Sequence, residues 1–143
     1  MNIIKIKKYN EKISKFLFNL RNKKFVRDHS VNKKKITYKN HKIWFYNFIK
    51  NKKNNLYLAQ KNKIYIGYLS SKKNGKFFVL SWALMKSFHK RGLAFKLLKK
   101  TTNNNQKRFK AVIKNNNYPS IKIAIKSGFK KKSKKKNLFF FYK

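Results

Sequence analysis

Cysteine is absent from this sequence of 143 residues. Its absence excludes disulfide bonds, thiolate metal sites and a cysteine nucleophile, and it is compatible with a reducing compartment. No metal site is expected. Long apolar runs are missing as well: no stretch approaches the roughly 20 residues that span a bilayer, and residues 1–6 lack the features of a signal peptide. We therefore expect a soluble, cytoplasmic protein without a membrane span. Either a monomer or a homodimer is compatible with the sequence.

Acidic residues are almost as scarce. Glu11 and Asp28 stand against 41 Lys and Arg, so that the formal charge is +39. Such a field attracts polyanions and favours a nucleic acid or an anionic membrane as partner. However, Lys, Asn, Ile, Phe and Tyr are enriched together and share AT-rich codons, so drift in genome composition explains much of the excess, although not the scarcity of Glu. Charge alone leaves both interpretations open.

Apolar and aromatic side chains are plentiful. They make up 41% of the chain, with 14 Phe and 8 Tyr, which provides the apolar area needed to order one core. The length suits a single domain over residues 1–143. Apolar periodicity, with turn and cap residues between the periodic segments, predicts the order β-α-α-β-β-β-α-β-α-β. This order implies an α+β fold with a mixed sheet flanked by helices.

Several local features accompany this prediction. Asn10 and Thr37 are typical N-cap residues for the first two helices. The pair Asn74-Gly75 favours a type I′ hairpin turn. The basic, polar segments 23–35 and 130–136 are predicted to be loops.

The passage from a long strand at residues 76–85 into a helix at Gly92 carries the main functional signal. A helix N-terminus binds phosphate through free backbone N–H groups and the positive end of its dipole. Gly92 permits close approach, Ala94 keeps the next exposed position small, and Lys90 and Arg91 add charge. The loop reads His89-Lys90-Arg91-Gly92-Leu93-Ala94. Alone, this hexapeptide fits an ordinary helix start equally well.

A second segment follows the predicted strand at residues 109–114. It contains Asn117, Ser120, Gly128 and Phe129 in that order. Taken singly, Asn117 fits a helix N-cap and Gly128 a helix C-cap. Their order and their distance from the glycine loop make these separate explanations less convincing.

Together the two segments resemble the GNAT superfamily of N-acetyltransferases, whose pyrophosphate loop reads Gln/Arg-x-x-Gly-x-Gly/Ala. His89 departs from that pattern at its first position. The resemblance covers nearly the full length and implies acetyl-CoA as co-substrate, wedged between two splayed strands. The cofactor-binding residues that it implies are Leu84, Lys86, His89, Lys90, Arg91, Gly92, Leu93, Ala94, Asn117 and Ser120.

Upstream, residues 20–22, 26–30 and 36–45 are similar to members that acetylate nucleotide-linked amino-sugars, as in pseudaminic acid biosynthesis. Ribosomal-protein acetyltransferases share parts of this pattern. The resemblance implies a small-molecule amine acceptor such as a sugar nucleotide, with Arg27, His41 and Trp44 as substrate-binding residues. For Trp44 a place in the core is the favoured interpretation, whereas for His41 a site position and a surface position are equally compatible with the sequence.

The catalytic groups are harder to assign. An acceptor ammonium needs a base, yet the long strand has no carboxylate. The candidates are His41, His29 and a base that acts through water. The tyrosine that many members carry before Gly-Phe is Ala124 here, and Tyr118 or Tyr68 are the substitutes. We therefore expect an N-acetyltransferase acting on a small amine and keep three alternatives: a catalytically decayed acetyltransferase fold, a basic RNA- or DNA-binding protein, and a ribosomal-protein N-acetyltransferase. Incidental affinity for nucleic acid is expected in each case.

Overall fold

Seven strands form one mixed sheet in the computed structural model, which describes residues 1–143. The strands are β1 (Asn2–Ile6), β2 (Asn55–Lys61), β3 (Ile64–Asn74), β4 (Phe77–Leu84), β5 (Arg108–Lys114), β6 (Lys130–Lys135) and β7 (Leu138–Tyr142). Their spatial order is β1-β2-β3-β4-β5-β7-β6, and only β4 and β5 pair in parallel. The predicted α+β class with a mixed sheet is confirmed.

Five α-helices cover the two faces of this sheet. They are α1 (Glu11–Arg21), α2 (Lys24–Asp28), α3 (Tyr38–Lys50), α4 (Leu93–Thr101) and α5 (Tyr118–Lys126). One apolar cluster joins α1 and α3 to β2 and β3, with Leu17 and Phe45 fully buried in it. A second cluster joins α4 and α5 to the opposite face, around Leu97 and Phe141. We call these the α1/α3 face and the α4/α5 face. No helix has the length and apolar character needed to cross a membrane.

The predicted helix caps are confirmed. The side chain of Asn10 accepts a hydrogen bond from the N–H of Ile13 at 3.1 Å, and Thr37 accepts one from the N–H of Asn40 at 3.2 Å. Each bond satisfies a donor that the first helical turn leaves without a partner. The starts of α1 and α3 are therefore fixed by local chemistry.

The hairpin turns differ from the prediction. Asn74 pairs with Phe77 as the last rung of its ladder, so the central turn residues are Gly75 and Lys76. Of these only Gly75 has a positive φ, of 58°, which is typical of a type II′ turn. The type I′ pattern lies instead between β2 and β3, where Asn62 and Lys63 both have positive φ.

Both segments predicted to be loops contain regular structure. Residues 23–35 include α2, because Phe25 and Val26 pack against the cluster beneath α1 and α3. Residues 130–136 include β6, an edge strand whose side chains are all exposed. Backbone bonds to β7 hold this strand without apolar side chains, and lysines on an edge discourage pairing with other chains. The observed order thus adds a helix and a strand to the predicted one.

Candidate active site

A gap opens between the two parallel strands at the centre of the sheet. Pairing between β4 and β5 runs from Phe77 opposite Arg108 to Leu80 opposite Ala111. Beyond these residues β4 continues to Leu84 and β5 to Lys114 with no pairing between them. The edge of β4 that faces the gap therefore presents backbone N–H and C=O groups without a strand partner.

The chain leaves β4 toward a helix N-terminus rich in free amides. A single 3₁₀ turn, Lys86–Phe88, follows the strand, and Gly92 then precedes α4 with a φ of 71°. Lys90 also has a positive φ, of 60°. None of the backbone N–H groups from Lys90 to Phe95 donates to a protein acceptor. Free amides beside a helix N-terminus form a site for an anion, phosphate in particular.

The side chains of this loop have structural contacts of their own. His89 Nε2 lies 2.9 Å from the carbonyl oxygen of Leu84, and its ring meets Phe25 edge-on at 5.5 Å. His89 therefore ties the loop to the end of β4 and to α2. Leu93 is buried in the core, so only its backbone can face a ligand, whereas Lys86, Lys90 and Arg91 are exposed.

Asn117 and Ser120 lie just beyond the end of β5, on the other side of the gap. Asn117 is the N-cap of α5 and accepts a hydrogen bond from the N–H of Ser120 at 3.4 Å. This bond accounts for both residues as parts of a helix start. A role toward the cofactor stays a prediction.

The helix α2, which the sequence pattern did not predict, bridges the two sides of the gap. Its Phe25 contacts His89 on the β4 side. At its other end the carbonyl oxygen of Asp28 accepts a hydrogen bond from Lys114 Nζ on the β5 side, at 3.3 Å. Phe25 and Val26, the apolar pair within a basic segment, were the available sequence signal.

Lys114 is a second residue whose position the sequence did not predict. Its side chain is only 5% exposed, and the structure gives its ammonium a backbone carbonyl but no carboxylate as partner. Burial, together with the nearby charge of Lys33, lowers the pKa of Lys114. No feature of the sequence distinguishes it from the other lysines.

A cavity of about 240 Å³ adjoins the gap from the α1/α3 face. Leu80, where β4 and β5 begin to diverge, belongs to its wall. The guanidinium of Arg21 lies 4.2 Å from the ring centroid of Trp44 and forms a cationic wall of this cavity. The lining residues are Arg21, Trp44, Phe48, Tyr68, Ser70, Lys72, Val79, Leu80 and Ser81. None of them is acidic.

His41 does not reach this cavity, contrary to its predicted role in substrate binding and catalysis. It is fully buried between α1 and α3, with Phe18, Trp44 and Phe45 around its ring. Its Nδ1 lies 3.4 Å from an Arg21 nitrogen, and its Nε2 has no hydrogen-bond partner. Burial, and secondarily the charge of Arg21, lowers its pKa to about 4. His41 is a neutral core residue that an acceptor amine cannot contact.

The other predicted acceptor and catalytic residues are dispersed. Trp44 lines the cavity. Arg27 instead donates to the carbonyl oxygens of Asn22 at 3.1 Å and Lys33 at 3.3 Å, which orders the segment around α2. Tyr118 is 68% exposed at the start of α5 and is absent from the cavity wall, whereas Tyr68, 5% exposed, belongs to it.

Both carboxylates of the chain bind neighbouring side chains. Glu11 accepts hydrogen bonds from the hydroxyls of Tyr38 at 2.6 Å and Tyr9 at 2.7 Å, and these bonds lower its pKa. Asp28 pairs with Lys24 at 2.8 Å, which lowers its pKa as well. Neither carboxylate lines the cavity, so no acidic side chain faces it.

Solved structures of acetyltransferases share this architecture. A ribosomal-protein-alanine N-acetyltransferase from Brucella melitensis has a TM-score of 0.80 at 17% identity, with 100% of this chain and 99% of that chain covered. The fold is that of the GNAT family. A GNAT-family acetyltransferase from Streptococcus pneumoniae superposes with a TM-score of 0.77 at 13% identity, covering 99% and 98% of the two chains.

A third GNAT-fold structure is a spermidine N-acetyltransferase from Vibrio cholerae in complex with CoA and spermine. Its TM-score is 0.81 at 11% identity, with 98% of this chain and 94% of that chain covered. No protein-family model and no curated protein matches the sequence. The likeness therefore lies in the backbone, and it establishes the GNAT fold of this chain.

Proposed function

We propose that this protein is an acetyl-CoA-dependent N-acetyltransferase acting on a small amine. The observation that carries the proposal is the gap between β4 and β5, which opens beside the free amides of residues 90–95. In the reaction, the acceptor nitrogen attacks the thioester carbonyl carbon. The carbon–sulfur bond then breaks, the amide forms, and the CoA thiol leaves with the proton lost by the amine.

Backbone groups supply most of the cofactor site in this proposal. The amides of residues 90–95 hold the pyrophosphate of acetyl-CoA, helped by the exposed charges of Lys90 and Arg91. The N–H groups on the free edge of β4 after Leu80 polarise the thioester carbonyl, as oxyanion holes do. Asn117 and Ser120 contact the cofactor from the β5 side.

The acceptor enters through the cavity lined by Arg21, Trp44 and Lys72. Because this cavity has cations and no carboxylate, it repels polycationic amines and favours an amine that also carries an anionic group. A nucleotide-linked amino-sugar has that chemistry, since its diphosphate is anionic. The basic N-terminus of a ribosomal protein suits this cavity less well.

Proton transfer proceeds without a carboxylate base. The positive field of the cavity lowers the pKa of the acceptor ammonium and raises its neutral, nucleophilic fraction. Water takes this ammonium proton. The second proton, which the nitrogen loses as the amide forms, ends on the CoA thiolate, and Tyr68 in the cavity wall is better placed than the exposed Tyr118 to relay it.

Calorimetric titration with acetyl-CoA tests the cofactor site. We expect Arg91→Glu to weaken binding by about tenfold, because it places a negative charge beside the pyrophosphate. Lys100→Glu is the matched control: it makes the same charge change on an exposed residue at the far end of α4 and should alter affinity by less than about twofold. Absence of binding at near-millimolar acetyl-CoA would refute the proposal.

Thiol release from acetyl-CoA then tests turnover. A sugar nucleotide with a free amine should be acetylated and spermidine should not, and Arg21→Gln should raise KM for the sugar nucleotide. A preference for spermidine would contradict the acceptor assignment and leave the cofactor site intact. Cofactor binding without turnover of any amine would identify a catalytically decayed acetyltransferase.

A further inference from the structure

A second cationic surface lies on the part of the sheet that no helix covers. Residues paired in register share one face of a sheet, and the register places Phe77 beside Arg108, and Lys110 and Lys130 beside Tyr142. They lie on the α1/α3 face, because their strand neighbours Phe78, Phe109 and Phe141 belong to or pack against the cluster on the α4/α5 face. The apolar cluster beneath α1 and α3 contains no residue of β5, β6 or β7. We call this uncovered area, at β7, β6 and the starts of β4 and β5, the open face.

Aromatic rings and cations are interleaved on the open face. Phe77 and Tyr142 meet edge-on, with ring centroids 5.2 Å apart. Lys110 Nζ lies 5.2 Å from the ring centroid of Phe140 and 5.7 Å from that of Tyr142. The three rings are all partly exposed. Half-exposed rings beside cations form a platform for flat, negatively charged ligands.

A groove of about 630 Å³ continues this platform at one end of the sheet. Its walls combine two of the same rings with cations and contain no acidic side chain; they are Phe77, Arg108, Gly128, Lys130, Lys132, Tyr142 and Lys143. The groove lies at the first residues of β4 and β5. The gap lies at the opposite ends of these strands, so the two sites are separate.

The chemistry of the open face selects among possible occupants. A second copy of this chain would bring the same exposed cations, Arg108, Lys130 and Lys132, against one another or against another surface of a chain with formal charge +39. Such a contact is electrostatically unfavourable. A nucleic acid neutralises these cations through its phosphates. Unpaired bases can stack on the rings, whereas the bases of a duplex are already stacked on each other.

We propose that the open face binds single-stranded nucleic acid. Bases stack on Phe140, Tyr142 and Phe77, while phosphates contact Arg108, Lys130 and Lys132. Every base has a ring face, so the interaction tolerates any sequence. The proposal is independent of acetyl transfer and requires no residue of the gap or of the cavity beside it.

Fluorescence anisotropy with a labelled oligouridine tests the stacking contribution. We expect Tyr142→Ala to weaken binding by about tenfold, within the range measured for base–aromatic stacking, and Tyr142→Phe to restore it. Tyr46→Ala is the control, because Tyr46 is 57% exposed on α3 and lies away from this face. Equal losses for Tyr142→Ala and Tyr46→Ala would overturn the proposal.

Salt dependence tests the phosphate contacts without altering any ring. Replacing Arg108, Lys130 and Lys132 by glutamine should reduce the slope of log affinity against log salt by about 2, since each single-strand phosphate contact contributes about 0.7. The matched control replaces Lys5, Lys7 and Lys8, exposed residues at the opposite edge of the sheet, with the same loss of charge.

Two results would contradict this assignment. Equal slope changes for both triple variants would show that the affinity is a diffuse property of the whole charge. A dimer in light scattering that Tyr142→Ala dissociates would assign the open face to a second copy. All the cations replaced in the triple variants are exposed, so these variants should fold. They therefore test the open face even if Tyr142→Ala unfolds the chain.

Discussion

Replacing His41 by phenylalanine tests whether this histidine stabilises the core or takes part in catalysis. In the folded protein its pKa is lowered to about 4, whereas an unfolded chain gives histidine its ordinary value of about 6.5. Above the unfolded value the imidazole is neutral in both states and the free energy of unfolding does not depend on its titration. As the pH falls below that value, the unfolded chain binds the proton first, so unfolding becomes more favourable.

The magnitude follows from the two pKa values. Between about pH 7.5 and pH 4.5 the titration of His41 should remove about 2–3 kcal/mol from the free energy of unfolding. At the higher pH, His41→Phe should change stability by only about 1 kcal/mol, because it removes a buried donor, Nε2, that has no partner.

Urea unfolding of both proteins at the two pH values measures this difference. Protonation of Glu11 and Asp28 destabilises both proteins alike, so the difference between them isolates His41. The control is His29→Gln, because His29 is exposed. A loss of stability on acidification that is the same in the wild type and in His41→Phe would refute the reasoning, and loss of acetyl transfer by a folded His41→Phe would restore the catalytic hypothesis.

Three further substitutions have defined outcomes. Gly92→Ala meets no atom within 4 Å but must keep a φ of 71°, so thermal unfolding should show a loss of about 1 kcal/mol. Gly67→Ala would place its Cβ 2.6 Å from the backbone oxygen of Ala83 and should cost about 2 kcal/mol or more in urea unfolding. Lys114→Met fills a similar volume without a buried charge, so it should raise the free energy of unfolding by roughly 1 kcal/mol. A decrease in the free energy of unfolding would contradict this expectation.

Most strands and helices could be predicted from local sequence patterns. Asn10 and Thr37 are recognisable caps, and the apolar spacing of α1 and α4 identifies the faces that are buried. The sequence did not predict β6, because its six residues are lysines and a serine, and its backbone pairing with β7 makes them a strand. Side-chain patterns carry no information about an edge strand without a buried side.

The candidate site also has a part that the sequence predicts and parts that it does not. The proposed phosphate-binding loop is local, since Gly92 and the helix after it are contiguous in sequence. The proposed acceptor cavity is not, because it combines Arg21 and Trp44 with Tyr68 on a distant strand. Lys114 becomes unusual only when α2 covers it. His41 illustrates the opposite error: its place in a family-like motif suggested a cleft, whereas packing between two helices buried it.

The scarcity of acids affects how the proposed ligands are distinguished. Every proposed binding surface is cationic, so acetyl-CoA, an anionic acceptor and a nucleic acid all benefit from the same long-range attraction. They differ in the groups that act at short range. The amides of residues 90–95 are fixed backbone dipoles in contact with the anion, and salt screens such contacts less than it screens exposed charges. The open face relies on exposed lysines, and the affinity of such lysines for phosphates falls steeply as the salt concentration rises. Raising the salt concentration should therefore release oligouridine before it releases acetyl-CoA, and the reverse order would show that side-chain charge, not the helix N-terminus, holds the cofactor.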